Sequence, residues 1–336
     1  MKISASIYSY PKTRPLKEIV SELDALNISS FHIDCKDNLN VFKDIEEIRS
    51  CSHTPIDLHI ISPEPEKFYD KITEYNVEYV QFQYEDLQGR KINPPKTGKT
   101  KYGLGITTST PIEVFDNYSD FDFILFMTTI PGESGGQFAK QNFQRIRKFR
   151  QRYQNKEIFV DGGVNGEVSF ILRNMGVSSV VTGSFLANNS AGKALLDLRV
   201  NNVESHYRIA DFMITGDDLP VLPVEESSNI AAVLQTIEQY KLGFVLFKDK
   251  TGKFAGIVSN ADVRKGLLKN ISDLNKTSLS DMLNPSPVTV LDTDTIADML
   301  QMIRRKNFIV SFLPVVNNNN EIAGAVTFFN LIRSEI

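Results

Sequence analysis

Five side chains able to bind a cation or move a proton fall in three short runs: His32 and Asp34, Asp57 and His59, and Asp161 in Phe159-Val160-Asp161-Gly162-Gly163. In a β-strand, residues two apart face the same way, so each of the first two pairs presents both groups to one side. Both pairs and Asp161 are expected at the C-terminal ends of their strands. Two imidazoles and two carboxylates converging there make a mixed nitrogen and oxygen site suited to Zn²⁺, Fe²⁺ or Mn²⁺. A carboxylate beside such an ion can also take a proton from a carbon next to a carbonyl, because the cation stabilises charge developing on the enediolate oxygens. Two carboxylates on opposite faces of that planar species, one removing the proton and the other returning it, accomplish an epimerisation without a redox cofactor. Taken singly, each histidine fits an ordinary hydrogen-bonded structural role. The gathering of His32, Asp34, His59 and Asp161 at three strand ends is what favours a metal-assisted acid/base site.

Positioning such groups requires strands whose ends meet at one rim. Strand-like runs at 3–7, 30–34, 56–60, 77–83, 102–107, 121–127, 157–161 and 179–182 alternate with segments of helical spacing such as 16–26, 65–75 and 141–153. Eight such units within the first 205 residues match a (β/α)8 TIM barrel, an α/β fold whose catalytic groups gather at the C-terminal rim. Glycine-rich turns follow the sixth, seventh and eighth runs, at Pro131-Gly132-Glu133-Ser134-Gly135-Gly136-Gln137, Gly162-Gly163 and Gly183-Ser184. Glycine lets backbone N–H groups approach an anion, and the loops after strands seven and eight are a recurrent phosphate seat in these barrels. One such turn could simply close a tight strand-to-helix connection; three in succession point to a phosphorylated ligand.

The bulk numbers fit two soluble domains. The 336 residues are 41% hydrophobic and 23% charged, with a formal net charge of -4, which argues against a general nucleic-acid partner. No run approaches the roughly 18 apolar residues of a membrane helix, and residues 1–7 lack the apolar core of a signal peptide. Only Cys35 and Cys51 are present, so a reducing cytoplasm is expected, with Cys35 in a packing role. After 195–202 the chain becomes a two-fold repeat with offsets of 66 to 70: Ile209–Met213 pairs with Leu279–Leu283, Ile230–Leu234 with Ile296–Leu300, Phe244–Phe247 with Leu313–Val316, and Gly256–Asp262 with Gly324–Asn330.

The first part resembles ribulose-phosphate 3-epimerase over most of residues 1–200. Ile3-Ser4-Ala5-Ser6-Ile7-Tyr8-Ser9 is similar to the family's opening strand, whose Ser, here Ser6, lies by the substrate. His32-Ile33-Asp34-Cys35-Lys36-Asp37 resembles its His-x-Asp-x-Met-Asp segment, and Asp57-Leu58-His59 its Asp-x-His strand. The run from Met127 to Gly132, followed by Gly135-Gly136-Gln137-Phe138, is similar to its sixth-strand phosphate loop, and Asp161-Gly162-Gly163-Val164 and Thr182-Gly183-Ser184 complete the pattern. The resemblance implies that His32, Asp34, His59 and Asp161 bind one divalent metal, with Asp34 and Asp161 as the acid/base pair. It also implies a sugar phosphate held by Ser6, Gly132, Gly135, Gly136, Gly162, Gly163, Gly183 and Ser184. Departures surround the substrate: Lys36 stands at the Met position and is expected to reach outward as a structural residue, Gln83-Tyr84-Glu85 stands where the family has His-x-Glu, and Glu133-Ser134 lengthens the phosphate loop. The expected reaction is the 3-epimerisation of D-ribulose 5-phosphate to D-xylulose 5-phosphate. A catalytically silent sugar-phosphate binder, and an epimerase or isomerase of another sugar phosphate in surface-carbohydrate synthesis, remain open at this point.

The repeat resembles a tandem CBS domain pair, an α+β module. Expected boundaries are 1–205 for the barrel and 206–336 for the pair, with copies at about 206–271 and 277–336. The resemblance implies clefts for AMP, ADP or ATP, carried by Ser259 and Asp262 in the first copy and by Thr327 and Asn330 in the second; helix capping is the alternative use of Ser259 and Thr327. A homo-oligomer is expected.

Overall fold

The computed structural model describes every residue except 97, 201–205, 226–229 and 330–336. Its contacts divide the chain into two compact units, one within Met1–Glu204 and the other within Ser205–Phe329. In the first, eight parallel strands close into a barrel in sequence order: β1 (Lys2–Ser6), β2 (Ser30–Lys36), β3 (Ile56–Ile61), β4 (Tyr79–Gln83), β5 (Lys101–Thr107), β6 (Phe123–Met127), β7 (Glu157–Asp161) and β8 (Ser179–Thr182). Parallel neighbours need a crossover, and the outer layer supplies it: α1 (Leu16–Ala25), α2 (Val41–Arg49), α3 (Tyr69–Glu74), α4 (Gln141–Arg152), α5 (Gly166–Asn174), α6 (Ser184–Ala187) and α7 (Ala191–Arg199). Helices of this layer carry an apolar stripe, as Ile19, Val20 and Leu23 do on α1 and Phe143, Ile146 and Phe149 on α4, whereas α5 is buried along nearly its whole length. The crossovers after β4 and β5 are 3-10 turns, Tyr84–Leu87 and Ile112–Tyr118.

The barrel interior is divided chemically, and the division places the site. On the β5–β7 side it is aromatic: Phe123 stacks on Phe159 at 4.2 Å between centroids, and a Cβ at Gly103 would fall 2.2 Å from the Phe123 ring, so glycine there makes room for the phenyl group. Each such buried ring contributes roughly 1.5–3 kcal/mol. On the β1–β4 side the inward row is polar and buried, with Ser4, His32, Asp57, His59, Gln81 and Gln83. The outward row, including Cys35 at 0% exposure, packs beneath the helices, as the two-residue alternation requires.

The second unit holds two three-stranded sheets. β9 (Val221–Pro223), β10 (Phe244–Lys248) and β11 (Phe254–Ser259) form one with α8 (Ile230–Tyr240) and α9 (Asn260–Lys269). The other contains β12 (Val290–Leu291), β13 (Phe312–Val316) and β14 (Ile322–Thr327), with α11 (Ile296–Arg304), whereas Leu279 and Met282 of α10 (Leu279–Met282) pack into the core of the first sheet. Strand register makes Phe244 and Phe312 equivalent, which shifts the expected pairing of Phe244–Phe247 with Leu313–Val316 by one residue, and the two rings meet at 4.6 Å. The sequence repeat is thus a structural repeat whose copies share a core. Among the described residues no helix is long and apolar enough to cross a membrane.

Candidate active site

Strand register assembles the cluster. His32 lies beside Asp57 and Asp34 beside His59 across the β2–β3 pair, while Asp161, the last residue of β7, lies beside Met127 of β6. His32, Asp34, His59 and Asp161 each offer a ligand atom, and these atoms all lie within 4.8 Å of one another. Asp34 and Asp161 enter from β2 and β7, strands separated by β1 and β8. Their side chains are 14% and 17% exposed, whereas both imidazoles are fully buried.

Asp57 does not join them at the rim. It is the second residue of β3, one layer deeper and 1% exposed, and the strand-end position expected for it is corrected by this register. Its Oδ2 accepts from Ser4 Oγ at 2.8 Å and lies 2.9 Å from His32 Nδ1; its Oδ1 accepts from Gln81 Nε2 at 2.8 Å. Because a carboxylate only accepts, Nδ1 of His32 must carry the proton, and Nε2 is left with its lone pair toward the cluster. That Nε2 is buried without a hydrogen-bond partner, 3.4 Å from Asp34 Oδ1 and 3.7 Å from Asp161 Oδ2. A lone pair facing two carboxylates is an arrangement that a cation resolves. The charges tell the same story: burial opposes protonation of His32, but Asp57 and Asp34 outweigh it and hold its pKa well above the ordinary imidazole value. Burial pushes the Asp161 carboxyl up to about 6, whereas the two histidines overcome burial at Asp34 and hold it below the usual range. The donor set and the orphaned nitrogen fit a divalent metal.

A single pocket wall joins this cluster to the glycine turns. Asp34 and Asp161 line it together with Ser6, Gly135, Gly136, Gly162, Gly163, Gly183 and Ser184. The glycines have steric reasons to be there: a Cβ at Gly163, whose φ is +63°, would fall 2.2 Å from the backbone nitrogen of Phe138. Gly132 stands apart from its expected neighbours. It does not line the pocket; a Cβ on it would sit 2.1 Å from Cε of Lys36 and 3.2 Å from Ile61. The outward course expected for Lys36 is corrected by the same contact. Lys36 continues the inward row of His32 and Asp34, so its exposed stem lies at the barrel mouth against the loop after β6.

Sequence reasoning missed two further features, the orienting role of Asp57 and the tie made by Ser9. Asp57, with Ser4 and Gln81 behind it, orients His32; the signal was present in its spacing two residues before His59. Ser9 Oγ donates to Ser6 Oγ at 3.2 Å and lies 2.8 Å from Ser134 Oγ, tying the loop after β6 over the mouth to the segment after β1. Glu133 adds a third carboxylate to the pocket wall.

The family model for ribulose-phosphate 3-epimerase matches residues 2–187, more than half of the 336-residue chain. The chain belongs to this family. The ribulose-phosphate 3-epimerase of Bacillus subtilis (strain 168) is 26% identical over 164 residues, which cover 46% of this chain and 76% of that one. The enzyme of the same name from Methanocaldococcus jannaschii is 26% identical over 197 residues, covering 55% of this chain and 83% of that one. The protein is accordingly an enzyme of the isomerase class. The CBS domain model matches 209–269 and 279–335, so a tandem CBS pair follows the barrel. Among solved structures, the CBS-pair protein CBSX2 from Arabidopsis thaliana is 25% identical, with 38% of this chain and 94% of that one covered at a TM-score of 0.32.

In that pair, Ser259 ends β11 and caps α9: Asp262 N donates to its Oγ at 3.3 Å, and Ser259 N and Oγ donate to Asp262 Oδ2 at 3.1 and 2.5 Å. Both side chains thus serve a capping box. Thr327 closes β14, and Asn330 lies outside the described residues.

Proposed function

We propose that the barrel is a metal-dependent 3-epimerase of a ketose phosphate, with D-ribulose 5-phosphate and D-xylulose 5-phosphate as its pair of substrates. The observation that carries this is the convergence of two imidazoles and two carboxylates within 4.8 Å, on a pocket wall continued by glycine turns. His32, Asp34, His59 and Asp161 would hold the ion, which when bound supplies Lewis-acid stabilisation to the oxygens of the enediolate.

The phosphate rests against the backbone of Gly135–Gly136, Gly162–Gly163 and Gly183–Ser184, whose N–H groups can approach an anion closely. With that end fixed, C3 meets the carboxylates of Asp34 and Asp161. One accepts the C3 proton and the other returns a proton to the opposite face, so configuration inverts and no electron leaves the substrate. Asp57 keeps the His32 ring in the tautomer the cluster needs. Metal-stripped protein is expected to leave D-ribulose 5-phosphate unchanged, and protein reloaded with Zn²⁺, Mn²⁺ or Fe²⁺ to convert it to D-xylulose 5-phosphate, followed by NMR. Conversion that proceeds equally well after stripping defeats the metal-dependent mechanism.

For the CBS pair we infer an adenosine-nucleotide sensor. The matches to both copies support it, and coupling to the barrel of the usual 1–3 kcal/mol would shift substrate affinity roughly 5- to 150-fold. Calorimetric titration of the full chain with AMP, ADP and ATP is expected to show saturable heat for at least one. Flat traces for all three overturn it.

A further inference from the structure

Gln83, the last residue of β4, occupies a family imidazole position, yet it lies inside the polar half of the barrel at 1% exposure. Its Oε1 is 2.8 Å from Nε2 of His59, and its Nε2 donates to Glu85 Oε2. Glu85 is in turn fixed by β5 and the turn beyond it: its Oε1 accepts from Thr107 N at 3.0 Å, from Thr107 Oγ1 at 2.9 Å and from Thr110 Oγ1. Across the β4–β5 pair, Gln83 faces Gly105. A Cβ there would come 2.9 Å from Gln83 Oε1 and 3.4 Å from His59 Nε2, so the glycine leaves the space in which this hydrogen bond is made.

The directions of these bonds follow from donor and acceptor capacity alone. An ionised Glu85 only accepts, so it takes the amide NH₂ of Gln83 and turns the amide carbonyl toward His59. A carbonyl also only accepts, so the His59 nitrogen facing it must be N–H. In the neutral ring the single proton then sits on Nε2, which leaves Nδ1, 3.2 Å from Asp34 Oδ1, as the nitrogen free to bind a cation. Asp57 does the same for His32 from the opposite ring nitrogen.

We propose that Glu85, acting through Gln83, is a positioning residue that sets the tautomer of His59 and aims its Nδ1 at the metal position. This rests on the metal site proposed above. A side chain that cannot titrate thereby replaces an imidazole while keeping the second ligand histidine oriented.

Two readouts test it. With ¹⁵N-histidine labelling of metal-stripped protein in alkaline buffer, two-bond ¹H–¹⁵N spectra should show His59 as the Nε2–H tautomer in the wild type and as a mixture in Gln83→Leu and Glu85→Gln. Zn²⁺ titration calorimetry should show affinity falling about 10- to 100-fold in Gln83→Leu, falling in the same direction in Glu85→Gln, and recovering in Gln83→His. Glu85 lies at the exposed rim, so Glu85→Gln keeps the test open should Gln83→Leu not fold. An unchanged tautomer and wild-type Zn²⁺ affinity in both variants overturns the relay. A wild type that binds no Zn²⁺ while the tautomer shifts as described refutes the metal site and leaves the relay standing.

Discussion

The Asp34→Asn variant converts D-ribulose 5-phosphate on the order of 10³- to 10⁴-fold more slowly than the wild type under saturating Zn²⁺. Asparagine keeps the volume of the side chain but cannot take a proton from C3, and it removes one negative charge from the four-residue donor set. The position leaves few substitutes. Asp34 is nearly buried at 14% side-chain exposure, and the nearest other groups of the cluster are the two histidines, whose ring nitrogens are 3.2 and 3.4 Å from its Oδ1. Metal content measured alongside kcat separates the two losses: a variant that still binds metal and does not turn over has lost the proton acceptor. Activity within about tenfold of the wild type would remove Asp34 from the acid/base pair.

Asp57→Asn produces the second large effect, through a residue that touches neither metal nor substrate. All three partners of this carboxylate, Ser4 Oγ, Gln81 Nε2 and His32 Nδ1, approach as donors. An asparagine must turn its own NH₂ toward one of them, which leaves a buried donor facing a donor. Breaking a buried charged pair by changing one partner costs about 3–5 kcal/mol of stability, and losing the group that orients a ligand histidine weakens metal binding about 10- to 100-fold. Thermal denaturation and Zn²⁺ calorimetry check the two consequences separately. Excess Zn²⁺ should restore much of the lost turnover, since the acid/base carboxylates are untouched. Wild-type Zn²⁺ affinity in this variant would mean that the His32 tautomer is set elsewhere.

Much of this site is legible in the sequence because it depends on local geometry. The alternation of strand-like and helix-like runs gives the barrel, and spacing by two puts Asp34 beside His32 on the inward face. Less local features are not legible. The depth of Asp57 depends on the stagger of β3 against β2, which pairs it with His32 rather than Asp34, and a single strand does not encode its register. The hydrogen bond between Ser9 and Ser134 spans 125 positions, and the contact of Lys36 with Gly132 depends on how the β6 loop folds over the mouth. Gln83 reads as the loss of an imidazole until its partner is seen, because a glutamine's role is set by what lies on each side of its amide. The repeat of the second unit is equally plain in sequence, as is a helix-capping use of Ser259, to which the structure adds the return bond from Ser259 to Asp262.

The most direct test of the two-carboxylate mechanism is the conversion of D-ribulose 5-phosphate by metal-loaded protein in D₂O. Proton removal and return by two different side chains, each open to exchange with solvent, predicts D-xylulose 5-phosphate carrying deuterium at C3. Product retaining protium at C3, or no conversion with Zn²⁺, Mn²⁺ or Fe²⁺, would contradict it.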